Sequence, residues 1–362
     1  MDRRQLLKTA SLTALFSGVV GCAGGVSLQQ SAASAAALPD WPKQIQRIAF
    51  GSCLDQNKAQ PIWTPILAAK PDLFIFGGDN VYASRQPWLL TNLENAYATQ
   101  AAQAGFAKLR QQVPHVAIWD DHDMGLNDGG AEFPHKQAAK NAFMDFWRLP
   151  EDDPRRNREG LYHAVAFGPP GQRVQIILLD TRWFRSRPRV TDQRDAPGKE
   201  RYVADTDPQK TMLGDAQWQW LEAQLKQPAD VRFIVSGVQV VVEGHGWEGW
   251  HNFPLEQEKL RRLLMATKAN GVVFLSGDRH IGAVYKSVPS QGYPLFELTS
   301  SGMTHAWSDA KEAGPNRLGS LVTQNHFALI DIDWQKRQVQ LGFQSTQGEW
   351  LLKENIKLSD LQ

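Results

Sequence analysis

Residues 116–128 read Val-Ala-Ile-Trp-Asp-Asp-His-Asp-Met-Gly-Leu-Asn-Asp, a short apolar run that breaks into a burst of acidic side chains around one imidazole. The apolar part, Val116–Trp119, has the length and composition of a buried strand. Asp120, Asp121, His122, Asp123, Asn127 and Asp128 follow it directly. So many acids behind a buried strand cost free energy unless cations or basic partners compensate them. Carboxylates and an Asn amide are hard oxygen donors of the kind calcium takes.

Three other segments repeat the arrangement. Arg47–Phe50 runs into Gly51-Ser52-Cys53, Leu73–Phe76 into Gly77-Gly78-Asp79-Asn80-Val81-Tyr82, and Val272–Leu275 into Ser276-Gly277-Asp278-Arg279-His280. In an open α/β sheet, loops at the carboxyl ends of strands meet in one crevice. A thiol, a phenol, imidazoles and carboxylates therefore converge, and such a set repels itself unless cations are bound. Asp79 is placed to bridge two cations. Tyr82 as phenolate requires a strongly acidic metal, and His280 suits iron or zinc. The expectation is a polynuclear metal centre that hydrolyses phosphate esters, with an activated hydroxide as nucleophile and a positioned acid such as His122 serving the leaving alcohol. No nucleophile elbow and no P-loop is present.

The bulk figures bound this reading. A chain of 362 residues suits one large or two small domains. A net charge of +1 gives no electrostatic reason for stable nucleic-acid binding. Among 13 Trp, those at 119, 183, 247, 250 and 307 stand beside polar clusters and are candidate pocket walls. Residues 1–38 read as an export signal and tether. Arg3-Arg4-Gln5-Leu6-Leu7-Lys8 resembles a twin-arginine signal, residues 12–20 are mostly apolar, Val19-Val20-Gly21-Cys22 resembles a lipoprotein processing site, and an Ala/Ser/Gly-rich stretch follows. The expected location is the periplasm, with a membrane anchor if Cys22 is lipidated; cleavage near residues 32–37 is the soluble alternative. Cys22 and Cys53 are the only cysteines; if Cys22 is removed or lipidated, Cys53 has no disulfide partner and serves either as a metal ligand or as a small buried hydrophobe.

From residue 39 to 362 the chain alternates strand-like and helix-like runs. Expected strands are 46–50, 72–76, 115–119, 161–167, 174–179, 231–237, 238–242, 272–275, 283–286 and 295–299, with a closing hairpin of 327–334 and 339–344. Expected helices are 61–69, one long helix over 89–112, then 136–147, 215–225 and 255–269. Residues 185–212 read as a long surface loop. Alternation early and paired strands late predict mixed sheets with helices outside. Softer site candidates are His245, His251, Ser300, Ser301 and His305.

Taken in order, Gly51-Ser52-Cys53, Gly78-Asp79-Asn80-Val81-Tyr82, Trp119–Asp123 with the following Asn127-Asp128, Gly277–His280, Ser300–His305 and the stretch Trp250–Leu264 resemble the PhoD-like metallophosphatases, the alkaline phosphatase D family. The resemblance implies a metallophosphoesterase-like core of two packed mixed sheets flanked by helices. It implies a centre of ferric iron with calcium, zinc or manganese being the alternatives. It implies Cys53 and Tyr82 as iron ligands, Asp79 as the bridge, Asp278 and His280 as further ligands, and Asn127 or Asp121 as the oxygen ligand of the acidic segment. It implies His122 as a supporting or acid residue, and His305, from the segment after the strand 295–299, is the second catalytic candidate. Asn80 departs from the family pattern, and the chain reads as a short form without the amino-terminal β domain. Three functions stay open: a metal-dependent hydrolase of small phosphate esters, a phospholipase D-like lipid phosphodiesterase, and a non-catalytic metal-stabilised lipoprotein. The oligomeric state is not legible.

Overall fold

Arg47–Gly51 form the first strand, β1, and four of its five residues are buried. The computed structural model describes residues 38–362 apart from 313, so the twin-arginine-like segment and Cys22 lie outside the described residues. After β1 come α1 (Trp63–Ala68), β2 (Leu73–Gly77), α2 (Leu90–Ala102), α3 (Ala104–Gln112), β3 (His115–Ile118), α4 (Asp121–Met124), α5 (Lys136–Phe146), β4 (His163–Phe167) and β5 (Val174–Leu178). A small hairpin, β6 (Arg189–Val190) and β7 (Tyr202–Val203), precedes α6 (Gly214–Leu225), β8 (Val231–Ser236), α7 (Pro254–Thr267) and β9 (Val272–Ser276). The chain ends through β10 (Gly282–Ser287), β11 (Leu295–Ser300), β12 (Arg317–Val322), β13 (His326–Asp333), β14 (Gln338–Ser345) and β15 (Trp350–Lys357).

These strands build two large mixed sheets flanked by helices, as the sequence predicts. One runs β15-β14-β13-β1-β2-β3 and the other β12-β10-β11-β9-β8-β5-β4. The period-2 alternation of strand side chains divides the second sheet between two cores. Val174, Ile176, Val231, Phe233, Val273 and Leu275 face the core shared with the first sheet. Ile177, Ile234, Val272 and Phe274 face Trp218, Leu221, Leu260 and Leu264 of α6 and α7. The outer face of the first sheet is closed by aromatic packing. Trp63 of α1, Phe106 of α3 and Trp147 after α5 stand 6.4, 5.7 and 4.7 Å from the Phe76 ring.

β1, β2 and β3 are mutually parallel, and so are β5, β8, β9 and β11. Their carboxyl ends meet across the gap between the sheets. Ser52 N–H, after β1, donates to Ser300 O at the end of β11 at 3.1 Å. The approach is close enough that a Cβ on Gly51 would lie 2.6 Å from Met303 Sδ. Among the described residues no helix is long and apolar enough to cross a membrane.

Several expectations are corrected. The helix expected over 89–112 is two helices, α2 and α3, because Gln103 is extended and ties its side chain to Gln56 O at 3.0 Å. Residues 238–242 form no strand, since the N–H groups of Val240 and Val241 are taken by the Glu297 carboxylate at 2.8 and 2.7 Å. The closing hairpin is extended by β15, and β12 was not anticipated, because both carry many half-exposed or exposed side chains and lack an apolar run. The segment 185–212 is not simply a surface loop: Arg185 and Met212 are fully buried, and β6–β7 lies between them.

Candidate metal centre

Each converging strand ends in a tight backbone turn. Cys53, Asp79, Asp278 and His280 have φ of +62°, +49°, +68° and +55°, the left-handed region that non-glycine residues seldom occupy. Gly78, at φ +108°, passes so close to the acidic segment that a Cβ there would sit 2.6 Å from Asp120 Cβ. Such strain clusters where surrounding structure holds a functional arrangement in place.

The turns bring most of the expected donors together. Cys53, Asp79 and His280 offer donor atoms that all lie within 4.8 Å of one another. Asp79, Asp121 and His122 do the same, so Asp79 belongs to both groups. Tyr82 joins the first group, its hydroxyl 3.4 Å from Asp79 Oδ2 and 3.1 Å from His280 Nε2. Cys53 Sγ is 3.6 Å from the same Asp79 oxygen. Asp121 also groups with Asp120 and Asp278. Asp120, however, is held by Arg182, whose Nη2 donates to Asp120 Oδ2 at 3.0 Å, so Asp121 and Asp278 are the available carboxylates. A cavity of about 70 Å³ opens on this cluster, lined by Asp79, Asp121, His122, Asn127, Asp278 and His280 together with Arg201, Trp247, Arg279 and Trp307. Asn127 stands at its exposed rim.

The remaining histidines differ in setting. His122 shares a hydrogen bond between Nδ1 and Ser84 Oγ at 2.6 Å, and its ring lies 4.2 Å from the Tyr82 ring. His305 packs edge-on against Tyr82 and His280, at 5.0 and 4.3 Å, with Nδ1 on Thr304 Oγ1 at 2.9 Å. His245 lies in a separate buried network, with Nε2 on Gln239 Oε1 at 2.9 Å and His251 against its ring. Ser301 Oγ is occupied by the backbone of Ile281.

Burial pushes the Cys53 thiol, the Asp79 and Asp278 carboxyls and the Tyr82 phenol well above their usual ranges, and neighbouring negative groups push the same way. Burial lowers the His280 imidazole to about 3. Asp121 moves in the other direction: burial opposes its charge, but His122, Arg182 and the Asp128 N–H outweigh it and keep the carboxyl below its usual range. Two donors inside the cluster, Asp121 Oδ1 and His280 Nδ1, are buried without a hydrogen-bond partner. Orphaned donor atoms beside a crowd of mutually repelling acids are the setting that a cation would satisfy. The residues fit metal. Thiol, phenol and imidazole suit a transition metal, and the carboxylates with the Asn amide suit a harder cation.

The acidic burst overstated the number of free donors, and the residues that neutralise the rest went unread. Asp123 is a helix cap, accepting the N–H groups of Asn80 and Asp120 at 3.0 Å each. Arg182, fully buried, bonds both Asp120 and Glu248, and Arg185 reaches Glu248 at 2.6 Å. The only signal for these arginines was Thr181-Arg182-Trp183-Phe184-Arg185 at the carboxyl end of a buried strand, which does not reveal a partner. Ser84 and Arg201 carried no motif pointing to the acidic cluster.

Three comparisons bear on ancestry. The solved structure of PhoD superposes with a TM-score of 0.68 at 18% identity, covering 88% of this chain and 70% of that one, a likeness of fold. Alkaline phosphatase D of Bacillus subtilis (strain 168) is 24% identical over 247 residues, which is 62% of this chain. The chain thereby spans 40% of that relative's own length. The sequence pattern of the PhoD-like phosphatases matches residues 48–343, nearly all of the two-sheet core. The chain belongs to the PhoD-like phosphatase family.

Proposed function

We propose that this chain is a metal-dependent phosphoric ester hydrolase whose centre holds two kinds of cation, iron and calcium. The observation that carries the reading is the position of Asp79, a member of two donor groups at once. Cys53, Tyr82 and His280 complete the softer group with Asp79, and Asp121 and Asp278 supply oxygen to the harder one, with Asn127 at the rim. A bound cation pair would neutralise these acids, acidify a water and draw in phosphoryl oxygens. His122, fixed at Nδ1 by Ser84, serves as proton donor to the departing alcohol through its other nitrogen. His305 braces the Tyr82 and His280 rings, and substrate enters past Trp247 and Trp307. Residues 1–38 are read as an export signal, with Cys22 as the site of a lipid anchor, so the working compartment would be the periplasm.

The test is metal analysis by mass spectrometry on the purified protein beside hydrolysis of an aryl phosphodiester and an aryl phosphomonoester. Bound iron and calcium with turnover, both lost in Asp79→Ala, support the reading. Stoichiometric metal without turnover of either ester would sink the enzymatic part, and a metal-free active protein would sink the centre.

A further inference from the structure

Arg201 reaches the metal cleft from a part of the chain that shares no strand end with it. The β6–β7 hairpin carries it there and is fastened in place. The N–H groups of Arg201 and Tyr202 both donate to Gly246 O, at 2.9 and 2.7 Å, and Gly246 N–H donates back to the Glu200 carboxylate. This docking depends on glycine: a Cβ on Gly246 would lie 2.5 Å from the Glu200 nitrogen.

The side chain is oriented from two directions. Nη1 bonds Asp128 Oδ2 at 2.7 Å, an oxygen that also accepts the Tyr202 hydroxyl at 2.7 Å. Asp128 in turn donates its N–H to Asp121 Oδ2 at 2.7 Å, so the arginine is two contacts from the carboxylate cluster. The guanidinium also lies over Trp247, Cζ to ring centroid 5.0 Å. An arginine whose fork is held at one nitrogen and stacked on an indole keeps further N–H donors at fixed angles. Arg279 lies over the same indole at 4.8 Å, but Glu312 neutralises it at 3.0 Å in a buried pair. Both arginines border the cavity and each pairs with a carboxylate, but the Arg201 side chain is 32% exposed where that of Arg279 is 5%.

We infer that Arg201 binds the phosphoryl group of the substrate directly, as a specificity-determining residue that the β6–β7 hairpin adds to the metal centre. Phosphoryl oxygens not held by cations need donors in a planar fork, which a guanidinium supplies. The inference rests on the phosphoesterase reading for its substrate, but it is tested on binding alone.

The test is titration of the metal-loaded protein with inorganic phosphate, followed by calorimetry and by the tryptophan emission of the stacked Trp247, with metal content measured for each variant. Arg201→Ala is expected to weaken phosphate binding about 10- to 100-fold at unchanged metal content. Arg201→Lys keeps the charge but loses the fork and is expected to fall between. Arg189→Ala removes a charge from the exposed face of the same hairpin and is expected to leave affinity unchanged. The inference is overturned if wild type binds no phosphate, if Arg201→Ala binds it as tightly as wild type, or if Arg189→Ala loses as much as Arg201→Ala. Phosphate binding lost in Arg201→Ala, with no ester turnover by wild type, would keep the inference and remove the phosphoesterase reading. Ester turnover by wild type with phosphate affinity unmoved in Arg201→Ala would do the reverse.

Discussion

The Tyr82 hydroxyl stands 3.1 Å from His280 Nε2, joining the loop after β2 to the loop after β9, which belong to different sheets. The softer donor group therefore exists only once both sheets have come together. Removing the phenol oxygen tests this group without disturbing the core. Tyr82→Phe is expected to lower metal affinity about 10- to 100-fold, read by mass spectrometry after dialysis. If the cation is ferric, the visible phenolate-to-iron absorption of the wild type disappears with it. A coloured Tyr82→Phe protein with full metal would exclude Tyr82 as a ligand.

Arg182 lies between Asp120 and Glu248 with no exposed side-chain surface. Replacing it by Met leaves the buried Asp120 carboxylate without its counter-charge and Glu248 with Arg185 alone, and urea unfolding is expected to show a loss of about 3–5 kcal/mol. By contrast Arg47 and Asp331, paired at 2.6 Å but 40% and 29% exposed, should be worth at most about 1 kcal/mol. Equal effects for Arg182→Met and Arg47→Ala would refute the buried-cluster account.

Gly246 is the point at which the β6–β7 hairpin meets the loop that precedes α7. Gly246→Ala forces the two apart and displaces Arg201 without touching a metal donor. The expected phenotype is a drop in kcat/KM of about 10- to 100-fold, mainly in KM, at wild-type metal content. Loss of metal in this variant would mean that the hairpin supports the centre itself.

Glu297, fully buried on β11, accepts the N–H groups of Val240 and Val241. Burial pushes its carboxyl from 4.5 up to about 7. A carboxyl raised in the folded state contributes stability that is complete below 4.5 and is lost as pH rises through about 7. Unfolding free energy should therefore decline across that interval by on the order of 3 kcal/mol relative to Glu297→Gln. Parallel pH curves for the two proteins would show that the carboxyl does not titrate there.

What could be read from sequence was local. Each candidate donor follows an apolar run within a few residues, so strand and chemistry announce each other, as in Phe74–Asp79. Unreadable features depend on approach in space. Nothing near Arg182 names Asp120 as its partner 62 positions away, and nothing in residues 238–242 says that a glutamate on β11 will take their N–H groups. Residue type alone also could not sort the acidic burst: Asp120 neutralises an arginine, Asp123 caps a helix, and Asp121 enters the cluster. β12 and β15 escaped because strands with many exposed side chains carry a weak apolar pattern.

The left-handed backbone at Cys53, Asp79, Asp278 and His280 makes the loss and gain of this centre unequal in evolution. Each such position costs about 1 kcal/mol that a glycine would not incur. A lineage no longer selected for the centre would become more stable by drifting toward glycine at any of the four. Rebuilding it would require several destabilising substitutions before any cation could bind, so descendants that abandon the activity would keep the two-sheet scaffold and seldom return.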